Sequence, residues 1–320
     1  MQLERRYEMN RHMLLCADML RKMLRSILLL LVVLSATFAM LRAVPGGPFD
    51  GERELPPKAA AAISSYYGTD KSLWESYVHY LRSLIGGDLG PSFRQLGWSV
   101  RELIADKLLT SVELGAYGIL FAVAVGVTSG SMAALYGRGI WRRIFWRIST
   151  IFVCLPSFAS GPIGNYIFAC KLHWLRATGW DQWRCKILPP ITLGFFHGAI
   201  IARLTYKSMA KEFCRPYVRT ALAKGLSRGA VFRKHIFRNG IAPVIAHLGP
   251  SCAAMLSGAF AVESIFHIPG LGRLFVESIG NRDYGIVTGI VLTYAALILL
   301  CNFIADIALV TINPQLRRHG

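Results

Sequence analysis

The sequence predicts an all-α, polytopic membrane protein with about six transmembrane helices, and three observations carry that prediction. Of its 320 residues, 53% are hydrophobic and only 17% charged. Four uncharged runs each exceed the roughly 20 residues a helix needs to cross the hydrocarbon of a bilayer. Lys and Arg gather at the ends of these runs, with an excess on one side of the alternating connections.

The first run, Ser26 to Leu41, is short, but Arg21, Lys22 and Arg25 precede it and Arg42 follows. Such side chains snorkel to the interface and lengthen the usable span. No small-residue cleavage site follows, so it reads as an uncleaved first span over residues 24–42 rather than a signal peptide. Residues 1–23 form a weakly amphipathic cytoplasmic extension in this reading. Residues 43–107 are a long loop region on the far side, opened by a Pro-Gly-x-Pro turn at Pro45, Gly46 and Pro48. The remaining runs are Leu114 to Leu135, Ile148 to Cys170, the shorter Ile187 to Ala202, Ile241 to Val262 and Gly285 to Ala305. Pro156, Gly161, Pro162, Pro189, Pro190, Pro243 and Pro250 fall within or beside them, where they kink or break helices. Buried helices of a soluble protein would fit runs of about 10–14 residues far better.

Orientation follows from the basic residues. With the N-terminus in the cytoplasm, 22 of the 36 Lys and Arg lie in cytoplasmic segments, 10 of them between Arg203 and Gly240. Eight of the other 14 lie in the long loop, and long loops translocate whatever their charge. The expected topology is N-in and C-in, with residues 316–320 as a cytoplasmic tail. The net charge of +18 then reflects membrane ends facing anionic lipid rather than a nucleic-acid partner.

The chain lacks a G-x-x-x-x-G-K-[ST] phosphate loop, a G-x-S-x-G elbow and an H-E-x-x-H pair. It therefore offers no catalytic residue for nucleotide hydrolysis, acyl transfer or zinc proteolysis by those routes. Its seven Cys contain no C-x-x-C pair, which argues against a metal or iron–sulfur centre. Cys170 and Cys185 both fall near the outer side, where a disulfide is chemically permitted. Glu113 and Asp306 lie near span ends, too close to the interface to serve as a proton relay, and His197 and His247 read as packing residues. An ion-coupled transporter would need charge near mid-membrane, and these spans hold almost none.

The most informative loop is "YVRTALAKGLSRGAVFRKH", beginning at Tyr217. Its Ala-x-x-x-Gly and following basic helix have the outline of a DNA-binding helix-turn-helix. A loop held between two spans in the most basic cytoplasmic segment is a poor place for a DNA reader, and no nucleic-acid partner is expected. Two other stretches stand out: "VESIFHIPGLGRLFVESIGNRDYGIV" from Val262, and "NFIADIALVTINPQLR" near the C-terminus.

Together these stretches resemble the permease subunits of binding-protein-dependent ABC importers, in the dipeptide/oligopeptide branch. Tyr217, Val218, Arg219, Thr220, Ala221, Ala223, Lys224, Gly225, Leu226, Ser227, His235, Arg238, Asn239 and Pro243 match the branch's form of the EAA-type coupling loop; Pro216 and Gly240 depart from it. Glu263, Phe266, Pro269, Gly270, Leu271, Gly272, Arg282, Asp283 and Tyr284 match its outer-side E-x-x-F-x-x-P-G-L-G and N-R-D-Y motif. Asn302, Asp306 and Pro314 fit its last span. The resemblance runs from about Leu24 to Arg318.

It implies a type I importer fold, with a permease domain over residues 108–315 and a coupling loop over residues 207–240. It also implies a second permease subunit, two ABC ATPase subunits that use the ATP, and an extracytoplasmic substrate-binding protein, all at a bacterial inner membrane. On this reading the chain is not an enzyme and carries no cofactor of its own. Arg282, Asp283 and Glu263 would lie where a binding protein or outer gate could use them. Peptide is the substrate the branch implies first; nickel, glutathione and cell-wall peptides are its alternatives.

The topology has a direct test. A membrane-impermeant thiol label should reach single cysteines placed in residues 51–70 from outside intact cells. Labelling only after lysis would overturn the N-in orientation.

Overall fold

The computed structural model describes residues 21, 23–40 and 72–312, apart from 93, 96, 138 and 177. The Pro45–Pro48 turn, most of the N-terminal extension, the first half of the long loop, Pro314 and the tail lie outside the described residues. The helices are α1 (Met23–Met40), α2 (Leu73–Ile85), α3 (Val100–Tyr136), α4 (Ile140–Cys154), α5 (Ser157–Asn165), α6 (Leu188–Phe213), α7 (Pro216–Ala223), α8 (Arg228–Val231), α9 (Phe237–Gly240), α10 (Ala242–Ile265), α11 (Leu271–Gly280) and α12 (Tyr284–Ile312). A π-helical stretch, Tyr166–Lys171, prolongs α5, and another, Phe232–Ile236, joins α8 to α9. Among the described residues the only β-type pairing is an isolated bridge between Pro91 and Ser99.

By length and hydropathy, α1, α3 and α12 can each cross a membrane. Two bent pairs raise that number to five: α4 with the helix over Ala159–Lys171, and the two halves of α10. The run expected from Ile148 to Cys170 is therefore two helices. They meet at a 104° bend because Leu155 and Pro156 are both extended and Pro156 has no N–H to continue the ladder. A gentler bend of 43° separates Ala242–Leu256 from Ala259–Ile265 in α10, beyond Pro250, which lies within the first half. Pro189, Pro190 and Pro243 instead sit in the first turns of α6 and α10, where a missing N–H removes no helical hydrogen bond.

The short run at Ile187 to Ala202 becomes the most buried helix. Half the residues of α6 are enclosed by the chain, including Leu193, Gly194, His197, Gly198, Ile201, Ala202 and Thr205. A helix surrounded by protein rather than lipid tolerates Pro, Gly and His, which is why its hydropathy is modest.

The chain divides into two compact units. In the larger, residues 102–281 and 300–320, α3, α6 and α10 surround a core of Leu114, Ala122, Leu193, Ile201, Met255, Ala259, Val262 and Phe266. Glycines let α3 and α6 touch backbone to backbone. A Cβ on Gly126 would lie 2.8 Å from the Gly198 carbonyl oxygen, one on Gly130 would lie 2.4 Å from that of Ala202, and one on Gly194 would lie 2.7 Å from that of Gly118. Small residues at such crossings are the membrane-protein solution to close helix packing.

In the smaller unit, residues 1–101 and 282–299, α1 packs on α2. Ser35 and Tyr77 share a 2.6 Å hydrogen bond, and Phe38 lies against the rings of Tyr77 and Tyr80. Ser72 and Glu75 form a capping box that starts α2. The long loop region thus contains a helix, and α3 begins at Val100, well before its uncharged run. At 37 residues α3 is about 55 Å long, so its first turns, with Arg101, Glu102, Asp106 and Lys107, extend past the hydrocarbon.

Gly130→Val should prevent α3 from seating on α6, because its nearest obstacle is backbone rather than a movable side chain. The expected outcome is loss of folded protein from detergent extracts. Gly229→Val, where a Cβ meets nothing within 4 Å, should leave the yield near wild type.

Candidate coupling and outer-side sites

Between α6 and α10 the chain forms a helical hairpin whose sequence can be read position by position. The α7 helix ends in a Schellman motif: the Gly225 N–H donates to the Leu222 carbonyl at 3.0 Å and the Leu226 N–H to the Ala221 carbonyl at 3.3 Å. That geometry needs a left-handed residue, and Gly225 has φ of +86°, where a Cβ is costly. Two residues on, the Ser227 hydroxyl accepts from the Ala230 N–H at 3.3 Å and starts α8. Ala221-x-x-x-Gly225-Leu226-Ser227 is therefore a stop and a start with no slack between them.

One face of the hairpin holds it to the body. Val218, Ala221, Val231, Phe232 and Ile236 cluster with Met209 of α6. Gly240 lets α9 approach Met209, whose Cγ would be 2.9 Å from an added Cβ. Tyr217 bonds the Glu212 carboxylate at the end of α6 and accepts from Asn239 Nδ2 at 3.3 Å. Partial burial, then the Glu212 bond, raises the Tyr217 phenol above its usual pKa, so it remains a donor at physiological pH. His235 packs half-buried near the Tyr217 ring.

The other face is open. Arg219, Thr220, Leu222, Ala223, Lys224, Leu226, Arg228, Arg233, Lys234 and Arg238 are exposed. It combines apolar side chains with basic ones. The matching residues thus split by role. Tyr217, Ala221, Gly225, Ser227, His235 and Asn239 build the hairpin, while Arg219, Thr220, Ala223, Lys224, Leu226 and Arg238 are presented by it.

The outer-side motif is built differently. In the larger unit, fully buried Glu263 sits at the N-terminus of α11. Its Oε2 accepts from the Gly272 and Arg273 N–H groups at 2.7 and 3.1 Å, and its Oε1 from Ser111 Oγ at 2.7 Å. Ser111 Oγ in turn accepts from the Leu271 N–H at 2.7 Å. A carboxylate at a helix start meets both the unpaired N–H groups and the favourable end of the dipole. The glycines leave room for it: a Cβ on Gly270 would lie 2.3 Å from Glu263 Oε2, and one on Gly272 would lie 2.4 Å from Phe260 Cα. Phe266 is buried and its carbonyl accepts from Gly179, whereas Pro269 is exposed.

In the smaller unit, fully buried Asp283 does the same for α12, which Tyr284 opens. It accepts from Ser92 Oγ at 2.5 Å, the Arg94 N–H at 3.1 Å and the Ile286 N–H at 3.3 Å. Arg282 beside it is exposed, with φ of +54°. Both carboxylates are thus directed into the chain's own backbone, and Arg282 alone of the charged trio faces outward.

A third cluster leaves no motif in the sequence. Glu113 accepts from Trp180 Nε1 at 2.8 Å and Lys186 Nζ at 2.9 Å, and Lys186 lies 5.2 Å from the Trp180 ring centre. It ties the segment before α6 to α3, and no motif spacing signals a contact across some seventy residues. Cys170 and Cys185 are free thiols, the first exposed and the second buried, so the permitted disulfide is not formed. Among the described residues no three His, Cys, Asp or Glu side chains converge as a metal site would require.

Residues 126–318 match the family of binding-protein-dependent transport system inner membrane components. The chain belongs to this family. It is 38% identical over 299 residues to the oligopeptide transport system permease protein OppB of Haemophilus influenzae, covering 93% of this chain and 98% of that one. It is 35% identical over 290 residues to the dipeptide transport system permease protein DppB of Bacillus subtilis, covering 91% and 94%. Among solved structures, the inward-facing MetNI methionine ABC transporter matches with a TM-score of 0.56 at 14% identity, over 66% of this chain and 96% of that one. That likeness supports the type I permease fold. The permease is thus a membrane-embedded transport component, and the resemblance carried by its motifs is a family membership.

Glu263→Ala would strand two amide N–H groups and a hydroxyl, and should destabilise the permease by roughly 3 kcal/mol or more. Glu263→Gln should cost less, about 1–2 kcal/mol, because its oxygen still accepts from both amides and only the Ser111 O–H loses its acceptor. Thermal unfolding in detergent distinguishes the two; equal losses would contradict the capping role.

Proposed function

We propose that this chain is one of two permease subunits of an ATP-driven importer of peptides, forming half of the translocation path in a bacterial inner membrane. Two ABC ATPase subunits dock on the α7–α9 hairpins, and an extracytoplasmic binding protein delivers substrate to the opposite face. The observation that carries this reading is the hairpin itself. A Schellman stop at Gly225 and a serine cap at Ser227 hold two short helices rigidly, with an apolar and basic face turned outward. A rigid lever rooted in α6 by Met209 and Tyr217 can pass ATPase closure to the most buried helix. Peptide as the cargo rests on the oligopeptide and dipeptide permeases to which the chain is similar. The N-in, C-in orientation rests on the basic bias of the sequence, and places the hairpin on the side where ATP is available.

Leu226→Asp puts a charge on the presented face without touching the Schellman bonds, which are made by backbone. It should leave membrane abundance unchanged, weaken copurification of the ATPases by more than about tenfold, and abolish uptake of labelled peptide. Wild-type copurification and uptake would remove the hairpin from the coupling role.

A further inference from the structure

At its elbow the broken span faces α6 and α10 across a cavity of about 330 Å³. Val153, Cys154 and Pro156 line it from the elbow, and Leu193, Phe196 and His197 from α6. Ala254 of α10 completes the wall, and all of these residues belong to the larger unit. Ligand pockets span roughly 300–1,000 Å³ and are likewise apolar, with a few placed polar groups.

The cavity lies deep in the apolar layer. His197 stands nine residues beyond Leu188, about 14 Å along α6 at 1.5 Å per residue. No charged side chain falls between Lys186 and Arg203 on either side of it. The imidazole is 8% exposed, yet among the described residues its nitrogens have no hydrogen-bond partner. Phe196 lies edge to face with the ring at 5.2 Å. Either tautomer carries an N–H donor, and a buried donor left without an acceptor is costly. The elbow adds a second constraint. Leu155 and Pro156 have extended backbone, and Cys154 and Pro156 are exposed. Non-helical backbone at such depth is found buried in protein or lining a water-filled cavity, and not against lipid.

We infer that this cavity is a substrate subsite inside the permease, where His197 donates to a main-chain carbonyl of the passing peptide. Val153, Leu193 and Phe196 receive one apolar side chain of the same peptide. A carbonyl recurs at every residue, so the site holds substrate while selecting only for the size and apolarity of that side chain. An acyl chain offers the imidazole no acceptor, which favours peptide over lipid as the occupant. The assignment rests on peptide being the cargo.

Cys154, at the exposed rim, supplies the probe. Native membranes should hold the whole importer, with the other cysteines of this chain replaced by Ser. A charged methanethiosulfonate should then modify Cys154, because the thiolate is the reactive form and needs contact with water. Leucyl-leucine should slow that reaction severalfold. His197→Leu should remove the protection and lower the maximal rate of leucyl-leucine uptake about fivefold, as the loss of one hydrogen bond implies. His197→Gln, which keeps an N–H donor, should retain most of both. Ala254→Phe, which fills the cavity from its exposed rim, should slow leucyl-leucine more than glycyl-glycine, a split that a structural defect would not give. Peptide uptake by the wild type, with protection and rate unaltered in His197→Leu, would overturn the subsite and leave peptide import standing. So would wild-type Cys154 that leucyl-leucine fails to protect, or that reacts with lipid-soluble N-ethylmaleimide and not with the charged reagent. Uptake of neither peptide by the wild type would overturn the subsite and peptide import together.

Discussion

Backbone contact between α3 and α6 is the constraint on which the larger unit depends. Where a Cβ on Gly130 would lie 2.4 Å from a carbonyl oxygen, no side-chain adjustment can restore the fit. Hydrophobicity does not supply this contact, because lipid tails are as apolar as Leu. Dispersion between closely approached backbones does, and it gives α6 a fixed seat. With α6 fixed, its far end at Met209 and Glu212 becomes the anchor of the hairpin, and its His197 turn is presented to the elbow between α4 and α5. A helix that lipid alone surrounded would offer neither.

Helix starts away from that seat are set by buried carboxylates. Glu263, in the last turn of α10, closes the start of α11, and Asp283 directly precedes α12; each accepts from backbone N–H groups together with a serine hydroxyl. Near a membrane surface an open helix N-terminus would leave several donors short of water. A carboxylate with a fixed hydroxyl partner closes it and sets where the next helix begins. Charge in these motifs therefore organises backbone, whereas the basic side chains of the hairpin's open face have no carboxylate partner among the described residues.

The sequence by itself determined the class of fold, the family and the grammar of the hairpin. Apolar runs of membrane length have few other uses, and Ala221-x-x-x-Gly225-Leu226-Ser227 contains its own stop and start because capping is local. Tertiary structure alone decided the rest. It turned the Ile148 to Cys170 run into two helices at Pro156, since hydropathy measures apolarity and is blind to direction. It made the weakest run, Ile187 to Ala202, the central helix, because enclosure by protein relaxes the demand for apolar side chains. It sent Glu263 and Asp283 inward, although a motif cannot say which way a carboxylate faces. It also joined Glu113 to Trp180 and Lys186, and set His197 beside the Pro156 elbow, in arrangements that no spacing along the chain encodes. Short-range hydrogen bonding leaves its mark in neighbouring residues; packing between distant helices is written only in three dimensions.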